Sequence, residues 1–222
     1  MKVGFMKTEL YNFLDSWPRN YIRTADISRF LKKTDDACFS IIKRALKDDY
    51  LRSICKGMYV ITSQVKRMLP DEFELAPMAY QPSFVSLESA LSAGGWIPER
   101  VTTTTCVTTK RATEFENYLG HFRYWRIPAQ SFYLGVRRFE TDTGILFQAQ
   151  PWRALADFMY VRRRSWDTLK QLELDMRIHD FMAIEGDTEL LKELCEKYPS
   201  PRVRKNLKKF LKEIVKHGKG KR

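Results

Sequence analysis

Between Thr24 and Thr62 the chain reads TADISRFLKKTDDACFSIIKRALKDDYLRSICKGMYVIT, two helical apolar patterns back to back and then two short extended runs around Lys56-Gly57. That order leaves little freedom. Ile27, Phe30 and Leu31 give one apolar stripe and predict a short helix. Thr24 is expected at its N-cap, Asp26 lies in the favourable field of its first turn, and Lys32-Lys33 end it. Thr34 can cap the next helix, from Asp35 to about Asp48. Its apolar face is read as Cys38, Ile41, Ile42, Ala45 and Leu46, and its opposite face as Asp36, Ser40, Lys43, Arg44 and Lys47. Tyr50–Cys55 and Met58–Thr62 then predict a hairpin, with Gly57 supplying the positive φ of a tight turn and Lys56 at its tip. Upstream, Leu10, Phe13, Leu14 and Trp17 recur at helical spacing, so a helix is expected over Met6–Trp17, stopped by Pro18. Three helices and a hairpin are the plan of a winged helix-turn-helix, whose last helix enters a DNA groove.

On that plan Lys33, Arg52 and Lys56 are expected to meet phosphates, with Thr34 beside them at the helix start. Ser40, Lys43, Arg44 and Lys47 are expected at base edges. Recognition helices usually present their N-terminal residues to bases, but here that end carries Asp35 and Asp36, which suit the helix dipole and repel phosphate. Reading is therefore expected to fall to the middle of the helix. One Asp accepting from a cytosine amino group is the alternative.

Charge agrees with a polyanion partner. The chain carries 39 Lys/Arg against 27 Asp/Glu, a formal net charge of +12. Residues 1–70 hold fourteen Lys/Arg against seven Asp/Glu, residues 71–160 eight against ten, and residues 161–222 seventeen against ten. Basic ends flank a nearly neutral middle, which favours nucleic acid, an anionic membrane or an acidic protein face.

Gln64–Glu74 lacks apolar periodicity, contains Pro70 and turns acidic, which places a boundary there. The expected organisation is a DNA-binding domain over 1–69 and an α+β domain over 72–222, the latter split into a mixed sheet-and-helix core (72–165) and a basic helical extension (166–222). In the core, Ser86 is expected to cap a helix over Leu87–Ala93 that Gly94-Gly95 ends. Val101–Thr109 is read as a half-exposed, threonine-rich strand. Further strands are expected at Phe122–Ile127, Ser131–Val136 and Ile145–Ala149, and Pro151 opens a helix with Trp152, Leu155, Ala156 and Met159 on one face. Beyond Trp166 the chain reads as helical: Trp166, Leu169, Leu172, Met176 and Phe181 space one helix, Asp187 caps another, and Pro201 starts the last. That last helix buries Val203, Leu207, Phe210, Leu211, Ile214 and Val215, and its other face carries Arg202, Arg204, Lys205, Lys208, Lys209, Lys212 and Lys216, a second basic surface. The final residues from His217 are expected to form a tail.

Little in the sequence asks for catalysis. His121, His179 and His217 lie far apart, no cysteine pair has ligand spacing, and no phosphate-binding or nucleophile motif occurs. No metal, cofactor or enzymatic activity is therefore expected. Glu88, Glu114, Glu116 and Asp157 could pair in the fold. Asp157, beside an apolar face, is expected to satisfy a backbone N–H or an arginine. Cys38, Cys55, Cys106 and Cys195 are read as reduced thiols. The apolar run after Lys2 ends at Lys7 and no stretch is long enough to span a bilayer, so a cytoplasmic protein without membrane attachment is expected.

Three segments carry a resemblance: YLRSICKGMYVIT (Tyr50–Thr62), AQPWRALADFMYVRR (Ala149–Arg163) and, most specifically, QPSFVSLESALSAGGWIPERVTTTTCVTT (Gln81–Thr109). In these the chain resembles the AbiEi antitoxins of type IV, abortive-infection toxin–antitoxin systems, over roughly Thr24–Arg163. The resemblance implies a bacterial cytoplasmic protein that represses its own promoter through the winged helix. It also implies that the C-terminal domain counters a nucleotidyltransferase-like toxin encoded alongside, typically without a stable complex. Cooperative binding of more than one protomer on the DNA is compatible with that reading. Two alternatives stay open: a plain winged-helix regulator whose C-terminal domain senses a ligand or dimerises, and an enzyme acting on nucleic acid.

Overall fold

A computed structural model describes residues 2–32, 34–66, 68–99, 101–178 and 187–220. The fold is α+β and divides into two units. One comprises Met1–Leu75 with Asn117–Leu119 and Glu140–Leu146; the other comprises Ala76–Glu116, Gly120–Phe139 and Phe147–Arg222.

The first unit runs α1 (Lys2–Ser16), β1 (Tyr21–Arg23), α2 (Thr24–Leu31), α3 (Asp35–Lys47), β2 (Leu51–Cys55) and β3 (Met58–Ile61). The three helices and the hairpin stand where the periodicity places them, with α1 starting earlier than expected. Strand β1 is an addition. Three residues are too few to show a period of two, and β1 exists because β3 provides its register, Tyr21 opposite Val60 and Arg23 opposite Met58. The sheet order is β1-β3-β2, so β3 is central and all four of its residues are buried. With β1 in place, Arg23 rather than Thr24 is the N-cap of α2, and its N–H donates to the Asp26 carboxylate at 3.2 Å. The Thr24 N–H instead donates to Gly57 O at 3.0 Å, tying the start of α2 to the hairpin turn, where Gly57 has φ +74°. Leu10, Phe13, Leu14, Ile22, Ile27, Ile41, Ile42, Ala45, Leu51 and Ile61 close one core. Burying each large aliphatic chain there contributes about 1.5–3 kcal/mol. Leu46 lies outside that core at 36 % exposure, one residue past the centre of the buried stripe.

Helix α4 (Glu72–Ala79) occupies the end of the expected boundary segment and continues beyond it. A six-stranded sheet follows, built from β4 (Ser83–Val85), β5 (Thr103–Thr108), β6 (Thr113–Asn117), β7 (Gly120–Arg126), β8 (Val136–Glu140) and β9 (Ile145–Ala149) in the order β6-β7-β5-β4-β9-β8. It is mixed: β5 runs antiparallel to β4 and parallel to β7. The strand expected over Ser131–Val136 is a series of turns, closed by Leu134 N–H to Ser131 O and Val136 N–H to Tyr133 O, with Gly135 at φ +72°. Strand β8 begins only at Val136.

Helix α5 (Leu87–Ala93) packs on β5, and here the half-exposed reading of the threonines fails. Thr104, Thr105 and Thr108 are buried because β5 is an inner strand. Their hydroxyls are answered locally: Thr105 Oγ1 donates to Ser86 O at 2.8 Å and Thr108 Oγ1 to Pro82 O at 2.7 Å. Ser86 holds the N-cap position of α5, but its hydroxyl goes to Asp157 instead of to the helix.

Helix α6 (Pro151–Arg162) buries Trp152, Leu155, Ala156 and Met159 as expected. Helix α7 (Leu169–Met176) starts later than Trp166, whose indole N–H donates to Asp175 at 2.9 Å and whose backbone N–H is met by Asn206. Phe181, expected on the same helix, lies outside the described residues. Asp187 caps α8 (Thr188–Lys197), accepting from Leu190 N–H at 3.2 Å. Helix α9 (Pro201–Gly220) runs into the expected tail as far as Gly220, and Lys221 and Arg222 lie outside the described residues. Within α9, Val215 is 43 % exposed and so falls outside the buried stripe of Val203, Leu207, Phe210 and Ile214.

Candidate nucleic-acid interface

One face of α3 is buried through Cys38, Ile41, Ile42 and Ala45. The helical period then forces Asp36, Ser40, Lys43 and Lys47, at i, i+4, i+7 and i+11, onto a stripe pointing away from the core. All four are exposed, and Arg44 is exposed beside them. No ion pair involves Lys43, Arg44 or Lys47 among the described residues, so three cations stand on one helical surface without internal neutralisation. Asp35 and Asp36 are exposed at its N-terminus.

The flanking residues differ in kind. Thr34 is exposed at the N-cap, and its carbonyl accepts from Cys38 N–H at 3.0 Å while its hydroxyl makes no capping bond. Lys33 lies outside the described residues. Lys56 is exposed at the tip of the β2–β3 hairpin. Arg52 is exposed but engaged: Nε and Nη2 donate to the two oxygens of Asp49 at 2.8 and 2.9 Å, and the guanidinium lies 5.4 Å from the Tyr118 ring. That hydrogen bond holds the Asp49 carboxyl below its ordinary range and raises the guanidinium of Arg52. A phosphate would have to compete with Asp49, so Arg52 is a weaker candidate contact than its position in the sequence implies.

Sequence periodicity passed over Phe39. It is 60 % exposed, on the same outward surface one residue before Ser40 and four before Lys43. A singly exposed ring is ordinary on a protein surface, so Phe39 is of interest only for its place among the cations of α3. The signal was available in the sequence, since Phe39 follows Cys38 on the side away from Ile41 and Ile42, and the helical period points it outward.

The second basic surface separates into two groups. Arg202 donates to Met159 O and Arg164 O at 2.7 and 3.0 Å, and Arg204 donates to Tyr198 O at 2.6 Å, so both close the ends of neighbouring helices. Lys209 pairs with Asp167 at 2.6 Å. Lys205, Lys208, Lys212 and Lys216 remain as an exposed stripe at i, i+3, i+7 and i+11 on α9. Part of it borders a groove of 510 Å³ with Pro201, Arg204 and Lys209.

Of the carboxylates singled out in the sequence, three are in salt bridges and Glu116 is exposed, so they are not gathered at one point. Glu88 pairs with Arg162 at 2.6 Å, Glu114 with Arg123 at 3.3 Å, and Asp157 with Arg153 at 3.0 Å. Among the described residues no group of three or more His, Cys, Asp or Glu side chains could hold a metal ion, and no helix is long and apolar enough to cross a membrane. The four cysteines are not in disulfides; burial pushes the Cys195 thiol up to about 11 and raises that of Cys106 further. No family model and no curated protein matches the chain.

Proposed function

We propose that residues 2–66 form a winged helix that binds double-stranded DNA at the protein's own promoter, with α3 in the major groove and the β2–β3 hairpin as the wing. The observation that carries this reading is the outward stripe of α3: Ser40, Lys43, Arg44 and Lys47 exposed together, on a helix whose other face is buried. Lysine and arginine at mid-helix suit guanine O6 and N7, and a serine hydroxyl suits either partner. Lys56 at the wing tip suits a backbone phosphate.

The likeness of Gln81–Thr109 to AbiEi antitoxins supports the larger proposal: a cytoplasmic bacterial antitoxin of type IV that represses its operon and counters a nucleotidyltransferase-like toxin through the C-terminal domain. The DNA half is tested by a gel shift on the region upstream of the gene. Wild-type protein should retard that duplex with strong salt dependence. Changing Lys43 and Arg44 together to Ala should abolish the shift, and an unchanged shift overturns the assignment. The antitoxin half is tested by expressing the neighbouring gene with and without this one. Toxicity relieved by this chain supports it; a harmless neighbour leaves a plain transcriptional regulator.

A further inference from the structure

Helix α9 holds eight Lys/Arg and a single acid, Glu213. That acid is turned to the start of α7, where its carboxylate accepts from Leu169 N–H at 3.0 Å. Arg202 and Arg204 are engaged by carbonyls and Lys209 by Asp167. Lys205, Lys208, Lys212 and Lys216 are exposed, and none has an ion pair among the described residues. Their spacing of i, i+3, i+7 and i+11 sets them on one face, over about 16 Å of helix axis. Helix α8 packs alongside, but its Glu189 and Glu193 are held by its own Lys192 and Lys197 at 2.7 and 2.8 Å. Lysines one turn apart repel, and the fold leaves that repulsion unanswered along three turns.

The support beneath these charges is firm. Val203, Leu207, Phe210 and Ile214 are buried. The buried Asn206 side chain donates to Trp166 O and accepts from Trp166 N–H. The lysines therefore stand on a seated helix and not on a loose tail.

The make-up of the stripe selects its partner. Lysine is a compact point charge that meets phosphate without a fixed direction. No free guanidinium, amide or aromatic ring stands among the four to read a base edge or stack on a base: Asn206 and Phe210 are buried, and Arg202 and Arg204 are held. Protein interfaces are poor in lysine and form round an apolar centre, which this face lacks. A helix lying on a membrane needs an apolar face turned to lipid. That of α9 is in the core, and the exposed Val215 does not replace it.

We propose that the lysine stripe of α9 is a second nucleic-acid surface, gripping the phosphate backbone without reading sequence. It belongs to the second unit and does not rest on DNA binding by α3.

Fluorescence anisotropy over a salt series tests it. Every protein is the full chain carrying Lys43→Ala and Arg44→Ala, so failure of the α3 assignment leaves the test intact. The probes are a short labelled DNA duplex unrelated to the upstream region, a short single-stranded RNA and poly-L-glutamate. The parent should bind at least one nucleic acid at low salt, and the tighter of the two names the occupant. Lys208→Gln with Lys212→Gln should weaken binding and reduce the salt slope by about 1.8 on duplex or about 1.4 on single strand, the share of two phosphates. Lys212→Gln alone should remove about half of that. Lys208→Arg with Lys212→Arg keeps the charge and should keep the affinity. Lys110→Gln makes the same charge change as Lys212→Gln on the turn after β5 and should leave the slope unchanged. Glutamine on this face relieves repulsion, so melting temperatures should hold or rise. Absence of binding to both nucleic acids overturns the proposal, as does an unchanged slope in the double glutamine variant or an equal loss in Lys110→Gln. Poly-L-glutamate bound as tightly as the nucleic acids, and weakened by the same variant, assigns the stripe to an acidic protein face and overturns the nucleic-acid reading.

Discussion

Arg153 Nε lies 3.0 Å from both carboxylate oxygens of Asp157, one turn further along α6, and the two side chains are 1 % and 0 % exposed. The pair is stabilised by the groups around it. Ser86 Oγ and Tyr198 OH donate to Asp157 at 2.8 and 2.9 Å, and Arg153 Nη1 donates to Ser131 O and Leu134 O at 3.0 and 2.6 Å. The guanidinium also lies 5.2 Å from the Phe84 ring and 5.5 Å from that of Tyr198. Burial and the neighbouring Asp157 carboxylate push the Tyr198 hydroxyl well above its ordinary range. A buried ion pair survives when its remaining hydrogen-bonding capacity is met, as it is here.

Asp157→Ala should therefore cost about 3–5 kcal/mol, because it leaves Arg153 buried and uncompensated. Chemical denaturation followed by circular dichroism measures this. A loss below about 1 kcal/mol, the scale of a surface ion pair, would show that the cluster is not structural.

Phe39 gives the DNA reading a test at the level of single groups. Its exposed ring on α3 suits a thymine C5-methyl group in the major groove. Amplifying the upstream duplex with deoxyuridine in place of thymidine removes every such methyl. Wild-type affinity should fall by about 1 kcal/mol, the value of burying roughly one methyl group. Phe39→Ala should fall similarly on normal DNA and show no further loss on the deoxyuridine duplex. Independent, additive losses would mean that the ring does not touch a methyl.

Lys56 should behave differently from Lys43. As a phosphate contact at the hairpin tip, Lys56→Ala should weaken binding to all sequences alike and reduce the salt slope by about 0.9. Lys43→Ala should relax sequence preference. Gel shifts over a salt series, on the upstream duplex and on an unrelated one, distinguish the two, and identical behaviour of both variants would contradict the docking.

Glu74 predicts a pH dependence. It is 5 % exposed and accepts hydrogen bonds from the hydroxyls of Thr141 and Thr143, yet burial raises its carboxyl above the ordinary 4.5. The folded chain thus holds this proton more tightly than the unfolded chain. Between the raised value and 4.5 the contribution of Glu74 to stability should increase as pH falls, and below 4.5 it should level off. Glu74→Gln carries no charge and lacks this component. The melting-temperature difference, wild type minus variant, should grow as pH drops from neutral towards 4.5; a flat difference would refute it.

Where the sequence was legible, each residue advertised its own environment. The buried stripe of α3 followed from Cys38, Ile41, Ile42 and Ala45 at helical spacing, and the outward positions of Ser40, Lys43 and Arg44 followed with it. Strand β1 was not legible, because Tyr21–Arg23 is a strand only when Met58–Val60 lies beside it. The threonines of β5 misled for a related reason: a buried threonine looks like a half-exposed one until its hydroxyl acceptors, Ser86 O and Pro82 O, are in place.

Local spacing alone determined the helices, the hairpin turn at Gly57 and the basic surfaces of α3 and α9, since periodicity and backbone preference act between residues a few positions apart. Only tertiary structure decided which charges remain available. Arg52 was drawn to Asp49, Arg202 and Arg204 to helix-end carbonyls, and Asp157 to partners up to 71 positions away, while Lys205, Lys208, Lys212 and Lys216 have no ion pair among the described residues. Hydrogen bonds and ion pairs act over a few ångströms in space, so the distance along the chain that sets a helix does not reveal where they form.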